Sequence, residues 1–133
     1  MTAQSNSMNT KVGIEQGGAR LFVKAGGVLD IESGGVLSQN GAPLKIARGQ
    51  LTTATAADTV VTGLSAVAAV VASLESDPTD IPFMVSAQIG DQAGAPAAGS
   101  IIIKTWQNTG GTDPTPAAAT AFGKKVNWIA IGA

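Results

Sequence analysis

The tetrad Gly26-Gly27-Val28-Leu29 returns as Gly34-Gly35-Val36-Leu37, so this part of the chain folds in units of eight residues. An upstream copy is visible because Ile14-Glu15-Gln16-Gly17-Gly18 matches Ile31-Glu32-Ser33-Gly34-Gly35. Its glycine pair stands nine residues before Gly26-Gly27, which places one inserted residue near Arg20, as a β-bulge would. Gln39-Asn40-Gly41-Ala42-Pro43-Leu44 reads as a degraded fourth copy. Eight residues make a strand of about six plus a two-residue turn, and a Gly-Gly pair can take positive φ at both turn positions.

Two arrangements of such units compete. In an antiparallel hairpin closed on Gly26-Gly27, Ala25 faces Val28 and Lys24 faces Leu29, which scatters apolar residues over both faces. If the units stack in parallel register, the even period keeps every residue on its own face. Leu21, Leu29 and Leu37 then align, Val23 lies over Ile31, and Lys24 sits over Glu32 on the outside. The stack segregates better and is the favoured reading. It still offers only one narrow aliphatic row, and repeat units need neighbours to bury such a row. Identical rows from other copies around one axis would supply them. The expectation is an elongated homo-oligomer with Leu21, Val23, Leu29, Ile31 and Leu37 at its axis.

Three segments follow from this. Residues 1–12 form a polar, uncharged arm at their start, residues 13–48 a β-repeat stalk, and residues 49–133 a second domain. In the last, Phe83 to Ile89 alternates cleanly, with Phe83, Val85, Ala87 and Ile89 on one face. Ser100 to Gln107 is rich in β-branched residues, and Val126 to Ile131 sets Val126, Trp128 and Ala130 on one side. Thr59 to Leu64 reads as a fourth strand. Ser65 to Glu75 fits a helix, with Leu64, Val67, Ala68, Val71 and Leu74 on one face, or a strand, with Leu64, Ala66, Ala68, Val70, Ala72 and Leu74 on one face. Its valines and flanking strands favour the strand. Ser76–Asp80, Gly90–Gly99 and Thr109–Gly123 read as loops. Five or six strands broken by Gly/Pro loops imply a small antiparallel β-sandwich, so the fold class is all-β: a Gly-Gly-punctuated repeat stalk followed by a sandwich, assembled as a homotrimer.

Chemistry is sparse. With no Cys and no His, disulfides, thiolate nucleophiles, Cys-ligated metal and the commonest acid–base residue are all excluded. A net charge of -1 offers no basic field for phosphates, so nucleic acid is not an expected partner. No apolar run approaches the roughly 20 residues of a membrane span, so no membrane partner is expected either. Asp30 and Glu32 read as a solvated face, and Asp77 with Asp80 match no calcium-loop spacing. Gly90–Gly99 lacks the Lys-Ser/Thr ending of a phosphate loop. Hydroxyls at Thr62 and Ser100 lie near glycines with no His to activate them, and Lys104, Lys124 and Lys125 read as strand or edge charges. No enzyme, cofactor or metal is expected. Trp106 and Trp128 read as core or seam anchors, with sugar stacking as the sharper alternative, Gln107-Asn108 and Asn127 supplying polar contacts.

The run Asp113-Pro114-Thr115-Pro116-Ala117-Ala118-Ala119-Thr120-Ala121-Phe122-Gly123-Lys124-Lys125-Val126-Asn127-Trp128-Ile129-Ala130-Ile131-Gly132, preceded by Gly99-Ser100-Ile101-Ile102-Ile103-Lys104-Thr105-Trp106, resembles the ending of small tailed-phage structural proteins. These are capsid decoration (cement) and head-fibre proteins, and the resemblance spans roughly Thr59 to Ala133. It implies a homotrimeric, all-β virion protein attached to the outer surface of the capsid, with the major capsid protein as partner. On that reading the polar arm (Met1, Thr2, Ala3, Gln4, Ser5, Asn6, Ser7, Met8, Asn9 and Thr10) is the expected capsid contact. Val126 to Gly132 also resembles the last strand of trimeric H-type lectins and phage receptor-binding sandwiches. That similarity implies a carbohydrate-binding adhesin as the alternative, with a host-surface glycan as partner.

Overall fold

The computed structural model describes residues 12–14, 17–18, 20–77, 82–90 and 99–133. They form strands, turns and extended links with no helix, and all the sheets are antiparallel, as an all-β chain requires. The chain divides into two compact units, Met1–Val36 and Leu37–Ala133.

In the first unit β1 (Val12–Ile14) pairs antiparallel with β2 (Leu21–Val23), Val12 opposite Val23 and Ile14 opposite Leu21. The first two units of the repeat therefore meet as a hairpin and not in parallel register. Beyond it, the eight-residue period reappears as two equivalent β-turns. Gly27 N–H donates to the Lys24 carbonyl and Gly35 N–H to the Glu32 carbonyl, each at 2.8 Å. Both turns place a glycine third, Gly26 at φ 75° and Gly34 at φ 86°, the position at which a type II turn demands positive φ. The turns are thus centred on Ala25-Gly26 and Ser33-Gly34, one residue earlier than a hairpin closed on the glycine pair. In these two turns only the first glycine of the pair has positive φ, whereas in the upstream copy Gly17 (φ 93°) and Gly18 (φ 72°) both do, as a Gly-Gly turn pair can. The second Gly of the later copy is held to glycine by space: a Cβ on Gly35 would stand 2.9 Å from Ile31 Cγ2 and 3.0 Å from the Glu32 carbonyl oxygen.

The second unit opens with a tight hairpin, β3 (Ser38–Gln39) against β4 (Ala42–Pro43). Its two turn residues, Asn40 (φ 52°) and Gly41 (φ 79°), are the Asn-Gly pair that a type I′ turn favours. The remaining strands are β5 (Lys45–Thr52), β6 (Ala57–Val61), β7 (Val67–Leu74), β8 (Phe83–Ile89), β9 (Ser100–Gly110), β10 (Asp113–Ala118) and β11 (Lys125–Gly132). They make a three-stranded sheet in the order β5-β11-β7 and a four-stranded sheet centred on β9. There β8 covers one edge of β9, while β6 and β10 follow each other along the opposite edge.

The two sheets meet in a sandwich-like core. Ile101 and Ile103 of β9, Val126, Trp128 and Ala130 of β11, and Leu64 are the buried cluster, with Ala47, Leu51, Val60, Val70, Leu74 and Val85 packed against it. The inward face of β11 is the alternating set that its sequence announces. Thr105 belongs to the same inward row of β9 and is 1% exposed, and its Oγ1 finds no hydrogen-bond partner among the described residues. A buried hydroxyl without a partner opposes folding, and Val is nearly isosteric with Thr. Thr105→Val is therefore expected to raise stability by up to about 1 kcal/mol, read as a higher urea midpoint at unchanged m-value.

The strand expected over Thr59 to Leu64 runs over Ala57–Val61 instead, and three further elements depart from the sequence reading. Ser65–Glu75 contains a strand, β7 (Val67–Leu74), but its inward alternation breaks where the register with β11 slips between Ile131 and Gly132. Val70, Ala72 and Leu74 face inward as expected, while Val67 reaches the core from the other parity, which a bulge at Ala68 permits. The stretch 109–123 is not wholly loop, because Asp113–Ala118 forms β10 on the edge of its sheet. An edge strand tolerates Pro114 and Pro116, whose missing N–H groups leave no ladder bond unmade, and the register shifts between Asp113 and Pro116. Finally β5 runs across the 48/49 boundary, so residues 45–48 belong to a sheet strand.

Candidate functional site

The repeat leaves its aliphatic residues in water. Leu21, Val23, Leu29, Ile31 and Leu37 are each between 42% and 54% exposed, and Val28 and Val36 are exposed as well. Lys24 Nζ lies 5.4 Å from the centre of the Phe22 ring. Leu21 and Val23 are alternate residues of one short strand, so they share a face. Asp30 and Glu32 are both exposed. The capsid-contact residues Met1 to Thr10 lie outside the described residues.

In the second unit the Thr62 hydroxyl serves the loops. Thr62 Oγ1 donates to the Gly99 carbonyl at 2.7 Å and accepts from Leu64 N–H at 3.2 Å, tying two connections together. Asp58 accepts from Ala54 N–H, Thr55 N–H and Thr55 Oγ1, which shapes the turn before β6. Asp113 accepts from the Thr115 backbone N–H and from Thr109 Oγ1; the backbone bond first, then the hydroxyl, hold its carboxyl below the ordinary value of 3.8. Lys124 is half-buried with Nζ 4.5 Å from the Phe83 ring centre, a cation–π contact. Its backbone is clasped to buried Thr53: Thr53 N–H donates to the Lys124 carbonyl at 2.8 Å and Lys124 N–H to Thr53 Oγ1 at 3.0 Å. Asp77 is exposed, and its sequence companion Asp80 lies outside the described residues.

The two tryptophans take opposite roles. Trp128 is 8% exposed inside the core and cannot serve as a stacking platform. Trp106 is on the outward face of β9, half-buried, opposite Met84 on β8 and Ala118 on β10. Its Nε1–H donates to Ser86 Oγ at 2.9 Å, which pins the indole to the sheet. Gln107 is committed elsewhere, since its Nε2 donates to Thr120 Oγ1 and its Oε1 accepts from Thr120 N–H.

A polar cluster that sequence reading missed lies on the outward face of the other sheet. Gln50 Nε2 donates to Glu75 Oε2 and, at 2.9 Å, to Asn127 Oδ1, while Asn127 Nδ2 donates to Glu75 Oε2 at 3.3 Å. These residues are far apart along the chain, and only the register of β5, β11 and β7 sets Gln50 and Ser73 on either side of Asn127. Asn127 thus points away from Trp128, and its amide is used within the protein.

Comparison of this chain with protein-family models, with curated proteins and with solved structures finds no match.

Proposed function

We propose that this protein is a non-enzymatic, self-associating structural protein of a tailed-phage virion, a homotrimeric decoration or head-fibre protein that binds the outer surface of the major capsid protein shell and stabilises it. The observation that carries the reading is the repeat: two matching turns eight residues apart, with the aliphatics of each unit left exposed at the same phase. Such a row gains by meeting identical rows around an axis, because burying apolar side chains is worth roughly 25 cal/mol per Å². The all-β fold and the resemblance of Gly99 to Gly132 to phage structural proteins support the same reading.

The mechanism is avidity. A trimer seated at a local three-fold point of a shell contacts several capsid subunits at once, and each further contact forms at high effective concentration. Binding only the assembled lattice stabilises that lattice by mass action. The polar arm at Met1 to Thr10 is the proposed shell contact. Co-sedimentation with undecorated capsids tests this: full-length protein is expected in the pellet at saturable stoichiometry, and protein lacking residues 1–12 in the supernatant. Full-length protein that stays in the supernatant refutes capsid binding; a truncated form that still pellets refutes the arm alone.

A second reading, a carbohydrate-binding adhesin, is favoured by one feature, the half-buried Trp106 on the outward face of β9, hydrogen-bonded to Ser86, which stands in register with Lys104. It requires tryptophan fluorescence to respond to a glycan and the response to vanish in Trp106→Ala.

A further inference from the structure

The turn that closes β3 on β4 is built from the one asparagine in the chain that is followed by glycine; the others precede serine, threonine or tryptophan. Asn40 (φ 52°) and Gly41 (φ 79°) both take the left-handed conformation that a type I′ turn demands, and both are exposed. The backbone nitrogen that follows an asparagine attacks the side-chain amide whenever it can reach Cγ, and a side chain on that following residue obstructs the approach. Gly41 carries none, and a Cβ built on it would meet nothing within 4 Å, so the pair lies open to water. No hydrogen bond among the described residues engages the Asn40 side-chain amide or the Gly41 N–H.

The folded turn itself holds this reaction back. Its first residue sits at a ψ of about +30°, which points the following nitrogen away from Cβ, whereas ring closure needs the two nearly eclipsed. Closure therefore waits for the hairpin to open, and the hairpin resists opening weakly. Each arm is two residues long, and Pro43 has no N–H to give to its partner Ser38. A two-stranded piece of this kind is marginally stable by itself. Asn127 is the opposite case: it lies in the middle strand of its sheet, paired on both sides, with its amide bonded to Gln50 and Glu75. Asn108 is half-buried on β9, opposite Pro116.

We infer that Asn40 is a site of spontaneous modification, at which the opened β3–β4 hairpin deamidates. The Gly41 nitrogen bonds to Asn40 Cγ, the bond from Cγ to the side-chain nitrogen breaks, and ammonia leaves with the Gly41 proton, giving a cyclic imide. Water then opens the ring at either carbonyl. Cleavage at Cγ restores the main chain as an aspartyl residue; cleavage at the main-chain carbonyl carbon leaves an isoaspartyl residue, with the chain running through the former side chain. Either product adds one negative charge to the net -1. The isoaspartyl form also lengthens the turn by one methylene, so the hairpin cannot reclose with Leu44 N–H on the Leu37 carbonyl, a bond of 2.7 Å. The site is independent of self-association.

The test is peptide mass mapping of the full wild-type chain incubated in neutral buffer. Each conversion adds about 1 Da, and electron-transfer fragmentation tells isoaspartyl from aspartyl. Conversion at Asn40 is expected to be at least about ten times faster than at Asn127, because local opening is cheap in an exposed hairpin and approaches the cost of global unfolding in a core strand. In urea above the unfolding midpoint Asn40 is expected to convert faster still. The acidic species that grows in on anion exchange is expected to be missing from Asn40→Gly, which keeps a Gly-Gly turn, and in its isoaspartyl fraction Leu44 is expected to lose amide protection while buried Val126 keeps it. Conversion at Asn40 no faster than at Asn127, or the same acidic species in Asn40→Gly, overturns the site. Equal rates in folded and unfolded protein overturn the protecting turn, and unchanged Leu44 protection overturns the loss of the hairpin.

Discussion

Trp128→Ala is expected to lower the unfolding free energy by about 3–5 kcal/mol, and Gly49→Ala by about 2–3 kcal/mol, from opposite causes at one contact. Trp128 is the largest side chain in the buried cluster, so truncation leaves a hole among Leu64, Ile101, Ile103 and Val126 that a stiff two-sheet core cannot close. Gly49 stands directly opposite it on β5. A Cβ there would lie 2.7 Å from Trp128 Cζ2, 2.9 Å from Cε2 and 3.2 Å from Nε1. The indole is wedged between sheets and cannot swing away, so the added methyl displaces either the ring or the strand. Because the two costs share one contact they must be non-additive. Gly49→Ala in a Trp128→Phe background is expected to cost clearly less than in wild type, since a phenyl ring does not reach as far as Cζ2. Urea denaturation followed by far-ultraviolet circular dichroism reads all four species; strict additivity would show that the close approach is not what restricts position 49.

Gly132→Ala is expected to cost about 3 kcal/mol or more, at the high end of what overpacking does. Its Cβ would fall 1.9 Å from the Ala66 carbonyl oxygen, 2.9 Å from the Ala66 carbonyl carbon and 3.1 Å from Val67 Cα. Every obstructing atom is backbone, so no side chain can rotate out of the way. The same Ala66 carbonyl accepts from Ala133 N–H at 3.0 Å, and Ser65 N–H and Oγ donate to the Ala133 carbonyl at 2.7 and 2.8 Å. Separating these strands loses that bond set as well as the β7–β11 pairing beside it. Amide hydrogen exchange at Ser65 and Val67 should speed up more than exchange at Ile101 in the other sheet. Gly110→Ala is the control: a Cβ there meets nothing within 4 Å and its φ is not positive, so the change should stay within about 0.5 kcal/mol. A Gly132 variant that melts with the control would mean that the strands pass each other at a different height.

The sequence was legible where one residue's environment repeats at a fixed step. β8, β9 and β11 carry an alternating or β-branched pattern that survives any reasonable partner, and their inward residues Val85, Ile101, Ile103, Val126, Trp128 and Ala130 are those found in or against the core. The eight-residue period likewise surfaces as two matching turns, in which Gly26 and Gly34, the first glycine of each, have positive φ, while Gly35 answers to crowding by Ile31 and the Glu32 carbonyl. β5 was hidden because its inward residues are Ala47, Gly49 and Leu51, a weak hydrophobic signal with a glycine that reads as a turn. That glycine is small because an indole from a strand far along the chain lies on it. β10 was hidden behind two prolines, which only its place on a sheet edge makes harmless.

Period and alternation are local properties, so the chain by itself determined that it would be all-β, where its turns recur and which side of β11 turns inward. Pairing between distant strands is not local. Only tertiary structure decided that Trp128 is core while Trp106 is surface, that Gln50, Glu75 and Asn127 share one network, and that Ile46, Val71, Ile129 and Ile131 gather on one outward face. The physical reason is register: a shift of one residue between β5, β11 and β7 would exchange the two faces of the sheet, and nothing in any single strand states which partner residue it will meet.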